Sequence, residues 1–259
     1  MEVQFSRGIR IEEEYAEEVG DRADELGVQL SVHSPYYTNL GSDDEEVVQN
    51  SIDKIVMSGH MGDVMGANVV VAHPGFYTSL DPQETKEKIT QNASLTRDFF
   101  RDSNYQVDLG LEVMGKKQTF GTLDEVIELC EEIGEGVVPV IDFAHIHARS
   151  NGGLREREDF EEIFEKLDSL GLDRYYTYFT GVEYENGNEV SHKPIKKADL
   201  DFDILGQMLL ESGHDVTVIS ISPLVEHDAI YMKIRLERML DDLEREGTFK
   251  EVAQQVTGA

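Results

Sequence analysis

Histidines and carboxylates recur in this 259-residue chain where short apolar runs end. The run in QLSVHSPYY ends at His33, that in VVVAHPGFY at His73 and that in LGLEVMG at Glu112. The run in VIDFAHIHAR ends at Asp142, with His145 and His147 just beyond. The following stretch, GVEYENGNEVSHKP, reads as a loop and holds Glu183, Glu189 and His192. Imidazole nitrogen and carboxylate oxygen form the donor set that zinc and manganese accept. A lone histidine at a strand end is more often a hydrogen-bonded structural residue. Four successive ends carrying His, His, Glu and Asp point instead to a metal centre. His60, His214 and His227 lack that placement and read as surface residues, and His147 as a neighbour behind the ligands.

The elements that must position these residues follow from the apolar pattern. Strands are expected at Val3–Phe5, Gln29–His33, Asn68–His73, Val107–Glu112, Val137–Asp142, Tyr175–Thr180 and Val216–Ile221. Several are continuously apolar, as strands covered on both faces should be. Helices are expected between them, at Glu12–Leu26, Glu45–Met65, Pro82–Arg101, Leu123–Ile133, Arg157–Leu170, Phe202–Glu211 and Asp228–Glu246. Strand–helix alternation implies a parallel sheet and an α/β fold, in which strand C-terminal ends share one face and carry the chemistry. The pattern gives seven strand–helix units, whereas a closed (β/α)8 TIM barrel needs eight. The expectation is a single-domain barrel over residues 1–259, lacking its first unit or open on one side.

Composition narrows the function classes. The formal net charge is −30, with 53 acidic residues against 23 Lys and Arg spread along the whole chain. That is a solvated coat, not an acidic tail, and it fits a salt-rich cytoplasm. No signal peptide and no apolar run long enough to cross a membrane is present, so a soluble cytoplasmic protein without a membrane partner is expected. The single cysteine, Cys130, lies in the amphipathic stretch TLDEVIELCEEIG and reads as a buried helix residue.

The motifs VHSPYYTNL, AHPGFY, LGLE with Gly115 three residues later, and DFAHIHAR together resemble the endonuclease IV (AP endonuclease family 2) barrels. The likeness runs from about Glu2 to Glu246, lacks that family's first strand and helix, and with the acidic composition suggests a halophilic archaeal branch. It implies a xylose-isomerase-like TIM barrel holding up to three ions, usually zinc, with manganese as the other candidate. It also implies an endonuclease that cleaves DNA on the 5′ side of abasic sites in base-excision repair. By the same resemblance, His33 and His73 hold a first ion and Glu112, the catalytic carboxylate, bridges it to a second, of which Asp142 is a ligand. His145, Glu189 and His192 surround a third.

Two positions depart from that family's pattern. Tyr178 stands where a ligand histidine is expected and Ile221 where a ligand glutamate is expected, which weakens the second ion site. Glu183, five residues after Tyr178, is the nearest replacement carboxylate. The alternatives are a catalytically impaired metal-binding relative and a sugar isomerase or epimerase. The isomerase ligand set corresponds to Glu112, Asp142, Tyr178 and Ile221, half of which is missing. Around the ligands, Arg7, Arg10, Lys116, Lys117, Arg149, Lys193, Lys196 and Lys197 fall after strand ends. They suit a phosphate backbone, although loops carry charges in any case. Arg149, Lys116 and Lys193 are the expected substrate contacts, with Tyr36 and Tyr37 positioned either to stack on a sugar or base or to pack in the core. The expected partner is DNA containing abasic sites, bound by a monomer.

Overall fold

The computed structural model describes residues 1–247. It divides into two compact units, one of Met1–Met114 with Gln118–Val140 and one of Gly115–Lys117 with Ile141–Ala259.

The first unit alternates β1 (Glu2–Gln4), α1 (Glu13–Glu25), β2 (Ser31–His33), α2 (Glu45–Val64), β3 (Val69–Ala72), β4 (Gly75–Phe76), α3 (Pro82–Asp102), β5 (Asp108–Glu112), β6 (Thr119–Phe120), α4 (Leu123–Ile133) and β7 (Val137–Asp142). β1, β2, β3, β5 and β7 pair in that order, all parallel. The register sets Val3 beside Val32, Val32 beside Val70, Val70 beside Leu109 and Leu109 beside Val137. Val32, Val70 and Leu109 are fully buried. Strands this apolar need cover on both faces, and the amphipathic helices that return the chain supply it. The same register brings the C-terminal ends of β2, β3 and β5 level. β4 and β6 form a separate two-residue antiparallel pair just past those ends.

Local signals fix where the helices start. Asp81 and Glu84 close a capping box around Pro82 at the head of α3. Thr122 and Glu125 do the same for α4, and Glu125 also accepts the Tyr77 hydroxyl. Cys130 is buried in α4 and its thiol is pushed up to about 12 by burial, so it sits there as an inert core group.

The second unit contains α5 (Phe143–Arg149), α6 (Arg157–Asp168), β8 (Tyr175–Phe179), β9 (Gly181–Glu185), β10 (Asn188–Lys193), a 3-10 turn (Ile195–Lys197), α7 (Phe202–Ser212), β11 (Val216–Ser220) and α8 (Glu226–Glu246). β8 and β11 are parallel, with Tyr175 beside Val216 and Phe179 beside Ser220. The core of this unit is aromatic. Phe143 meets Phe160, Phe164 and Phe179 with ring centroids 5.7, 6.3 and 6.4 Å away, and Phe179 meets Phe202 at 5.1 Å. Such pairs add about 0.5–1.5 kcal/mol each beyond area burial. They anchor the first residue of α5, two positions before His145.

All seven expected strands are present, to within about two residues at their ends. The stretch expected as a loop is instead the β9–β10 hairpin, and DFAHIHAR is a short helix. Asn186 and Gly187 link the hairpin strands with φ of 54° and 74°. Both central residues are therefore left-handed, as a type I′ turn requires. Among the described residues no helix is long and apolar enough to cross a membrane.

Candidate metal centres

In the first unit, the ends of β2, β3 and β5 deliver His33, His73 and Glu112 to one point. Their ligand atoms lie within 4.8 Å of one another. Glu112 Oε2 is 2.9 Å from His33 Nε2 and 3.2 Å from His73 Nε2. His33 and Glu112 are buried and His73 is half-buried. The other nitrogen of each ring is occupied by the backbone: His33 Nδ1 donates to Ser34 O at 2.7 Å and His73 Nδ1 to Tyr36 O at 2.8 Å. A carbonyl can only accept, so the proton of each neutral imidazole is on Nδ1. Both Nε2 lone pairs then face a carboxylate oxygen. Three acceptors converging in a dry site repel one another unless a cation lies between them. An Nδ1–H held by a backbone carbonyl is also how metal-binding histidines are oriented. The donor set thus fits a divalent ion.

Without an ion the cluster is an ion pair instead, in which Nε2 carries a second proton that metal binding would displace. Burial alone would lower the His33 pKa, but the hydrogen bond and charge of Glu112 outweigh it and the pKa is raised. Burial would raise Glu112; the charge of His73 and the hydrogen bonds from His33 and His73 outweigh it and hold the carboxyl well below its ordinary value. Tyr36 walls this cluster. Its ring stacks on His73 at 5.4 Å, meets His33 edge-on at 4.8 Å, and its hydroxyl donates to Gln4 Oε1. Burial and then the charge of Glu112 push its hydroxyl up to about 12. Tyr37 is exposed, with the Lys54 ammonium 4.6 Å from its ring centre. Neither tyrosine is a core residue.

In the second unit, Asp142, His145 and His192 gather in the same way, again within 4.8 Å. Asp142 has two tasks. Its Oδ1 caps α5 by accepting the His145 N–H at 3.0 Å, and its Oδ2 lies 3.2 Å from His145 Nδ1. The Glu189 carboxylate lies 3.4 Å from His145 Nε2 and 3.5 Å from His192 Nε2. His192 Nδ1 donates to Ile221 O at 3.2 Å, and its buried Nε2 makes no hydrogen bond. That nitrogen is the lone-pair position that an ion beside Glu189 would satisfy. The hydrogen bond from His145, with the charges of His145, His192 and Lys116, lowers the Glu189 pKa to about 2 against the pull of burial.

The hairpin explains how Glu189 and His192 act together. Three residues apart on a regular strand, they would point to opposite faces. Pairing shifts between Glu189 and Ser191, so Val190 is an extra, unpaired residue. Glu189 lies opposite Tyr184 and His192 opposite Val182, all on one face. The bulge therefore turns an i, i+3 pair inward. Gly115 completes the setting: its carbonyl accepts the Glu189 N–H at 2.9 Å, and a Cβ there would lie 2.6 Å from His145 Cδ2.

Other expected residues are placed differently. Tyr178 is buried within β8, beside Ile219. The Ile221 side chain cannot coordinate, yet its carbonyl orients His192, a backbone role that side-chain identity does not reveal. Glu183 does not replace the missing ligands: it is on the outer face of the hairpin, paired with Lys193 at 2.6 Å and Ser191 at 3.1 Å. That pairing also occupies Lys193, and the Lys196 ammonium sits over the Tyr231 ring at 4.3 Å, so the basic residues are not a uniform set of open contacts. Arg149 closes α5, and Lys116 contributes its charge near Glu189. His60 pairs with Glu13, His214 with Asp168, and His227 is 76% exposed. His147 is fully buried and bonded to Asp199.

The family model of the xylose isomerase-like TIM barrels matches residues 1–228. The chain belongs to that family. Its strands and helices are those of an α/β TIM-barrel fold, with seven parallel strands among the described residues. Within the family it is 31% identical over 236 residues to an uncharacterized protein of Methanocaldococcus jannaschii, covering 90% of this chain and 85% of that one. It is 28% identical over 142 residues to a protein named probable endonuclease 4 from Aster yellows witches'-broom phytoplasma, covering 53% of this chain and 47% of that protein. Two solved structures share the fold. One is a D-tagatose 3-epimerase-like protein, with TM-score 0.72, 22% identity and coverage of 95% of this chain and 89% of that one. The other is endonuclease IV from Thermus thermophilus, with TM-score 0.69, 17% identity and coverage of 91% and 85%.

Proposed function

We propose that this protein is a divalent-metal-dependent phosphodiesterase that cleaves DNA on the 5′ side of abasic sites. The observation that carries the proposal is the ring orientation: His33, His73 and His192 each hand Nδ1–H to a backbone carbonyl and turn Nε2 toward a carboxylate. The name of the phytoplasma relative, probable endonuclease 4, supports the same reaction class. Zinc suits the nitrogen and oxygen donors, and manganese is the other ion they accept. His33, His73 and Glu112 would hold one ion, and Asp142, His145, Glu189 and His192 would hold another.

Bound divalent ions would draw charge from the phosphoryl oxygens and supply a water nucleophile at neutral pH. The chain's own contributions are separate from that. Glu112, buried and held anionic, fixes the two imidazoles of its cluster. Lys116 adds positive charge beside Glu189, where a phosphate oxygen would gain from it. Tyr36, 39% exposed and stacked on His73, offers a flat edge to a sugar from which the base is missing. An abasic nucleotide leaves the helix at little cost, and that supplies selectivity.

A sugar isomerase reading has less support. The ligand set it needs would include Tyr178 and Ile221, and isoleucine has no donor atom. The two readings separate in one experiment. An end-labelled duplex with a single abasic site is incubated with the zinc-loaded protein at low and high salt, beside a ketose turnover assay. Incision on the 5′ side that is abolished by chelator and by Glu112→Gln supports the proposal. Ketose turnover without incision overturns it.

A further inference from the structure

Four side chains of the second unit meet outside its ligand cluster. Asp199 Oδ1 accepts from His147 Nε2 at 3.2 Å, and Asp199 Oδ2 accepts from the Tyr184 hydroxyl at 2.7 Å and from Arg155 Nη2 at 2.9 Å. The Leu154 N–H donates to His147 Nδ1 at 3.2 Å, which places the His147 proton on Nε2, toward Asp199. The Tyr184 and His147 rings meet edge-on at 5.2 Å and 87°. Gly152 makes room for this contact. Its φ is +87°, and a Cβ there would fall 2.2 Å from the Tyr184 hydroxyl oxygen. The backbone thus comes as close to Tyr184 as it can.

The positions of these residues give the contact its meaning. His147 is two residues beyond His145 on α5, and Tyr184 lies directly opposite Glu189 on the inward face of the hairpin. One face of the hairpin therefore touches α5 at two places: Glu189 reaches His145, and Tyr184 reaches His147 and Asp199. A two-stranded hairpin has little stability of its own. A metal site loses its geometry when ligands drift by about 0.5 Å.

We propose that Tyr184, through Asp199 and His147, is the positioning residue that holds the β9–β10 hairpin where Glu189 and His192 can join Asp142 and His145 around one ion. This rests on reading that cluster as a metal site. Tyr184 touches neither ion nor substrate in this role, so its removal should change the affinity of one cluster and not the other.

The test uses cobalt as a spectroscopic substitute for zinc. The metal-free full chain is titrated with Co2+, and ligand-field absorption reports each ion bound. In Tyr184→Phe, binding at the hairpin cluster is expected to weaken about tenfold while binding at His33, His73 and Glu112 is unchanged. The melting temperature of the metal-free chain should fall by no more than about 4 °C, a loss of about 1 kcal/mol for a chain of this size. Asp199→Asn, which keeps the shape and removes the charge, should reproduce the selective loss. In a His145→Ala background, where only the other cluster remains, Tyr184→Phe should have no effect. Equal weakening of both clusters, or none in either variant, overturns the positioning role while leaving the metal reading intact. A wild-type chain that binds no cobalt at the hairpin cluster overturns both.

Discussion

Replacing Gly115 by alanine tests the second cluster with a single methyl group. A Cβ at that position lies 2.6 Å from His145 Cδ2, 3.0 Å from His145 Cγ and 3.1 Å from Glu189 Cβ. Gly115 does not have a left-handed φ, so alanine adds no backbone strain and the effect is purely steric. Ordinary contact begins near 3.4 Å, so the imidazole must move by about 0.8 Å. It has little room to do so. His145 is 6% exposed, with Asp142 at one ring nitrogen and Glu189 at the other. Overpacking of this kind costs about 1–3 kcal/mol. The required shift also exceeds the roughly 0.5 Å that a metal site tolerates. Ion affinity at this cluster should therefore fall about 10- to 100-fold, the loss typical of a disturbed ligand environment. Zinc titration against a competing chelator, with a thermal melt of the same sample, measures both quantities. The reasoning is refuted if the variant melts normally and binds two ions as tightly as the wild type.

Four further outcomes follow from the same geometry. Deleting Val190 removes the bulge but leaves Glu189 and His192 two residues apart on one face of a regular strand, so the number of ions bound per chain by elemental analysis should be unchanged; loss of one ion would mean that the bulge itself shapes the site. The Glu189 carboxyl is held at about 2 instead of its ordinary 4.5, so its contribution to the metal-free fold is complete above pH 4.5 and lost as pH falls toward 2. That contribution is about 3 kcal/mol in full, of which about 2 kcal/mol is lost between pH 6 and pH 3, so urea unfolding at those two pH values should show a pH dependence smaller by about 2 kcal/mol in Glu189→Gln. Restoring Tyr178→His together with Ile221→Glu should raise chelator-sensitive incision of an abasic-site duplex by at least tenfold; an unchanged rate would mean that these positions do not limit the site. Glu112→Gln leaves His33 and His73 without a carboxylate and should remove the ion of the first cluster, detected as a lower zinc content per chain.

Much of this was legible in the chain itself, for identifiable reasons. β3 and β7 are written as VVVA and VVPVID, and runs that apolar between helical patterns can only be covered strands. Because the strands are parallel, a residue type repeated at strand ends translates directly into convergence, and so His33, His73 and Glu112 could be grouped. The hairpin was less accessible. Asn186-Gly187 between VEYE and NEVSH carries a turn signal, but the polar, short strands also read as a loop. The inward turn of both Glu189 and His192 depends on a bulge, and register is a property of two strands that neither one states. The carbonyl of Ile221 is similarly hidden, since every residue has one. Tyr184, Asp199 and His147 are common residues whose pairing exists only after the hairpin closes on α5.

The central claim is that the two clusters hold divalent cations. Anomalous diffraction at the zinc absorption edge, from crystals of the zinc-loaded protein, addresses it directly. Peaks are expected about 2.0–2.2 Å from the Nε2 atoms of His33 and His73 and from the ligand atoms of His145, Glu189 and His192. Zinc-edge maps without a peak at either cluster, with Glu112 still bonded to both imidazoles, would contradict it.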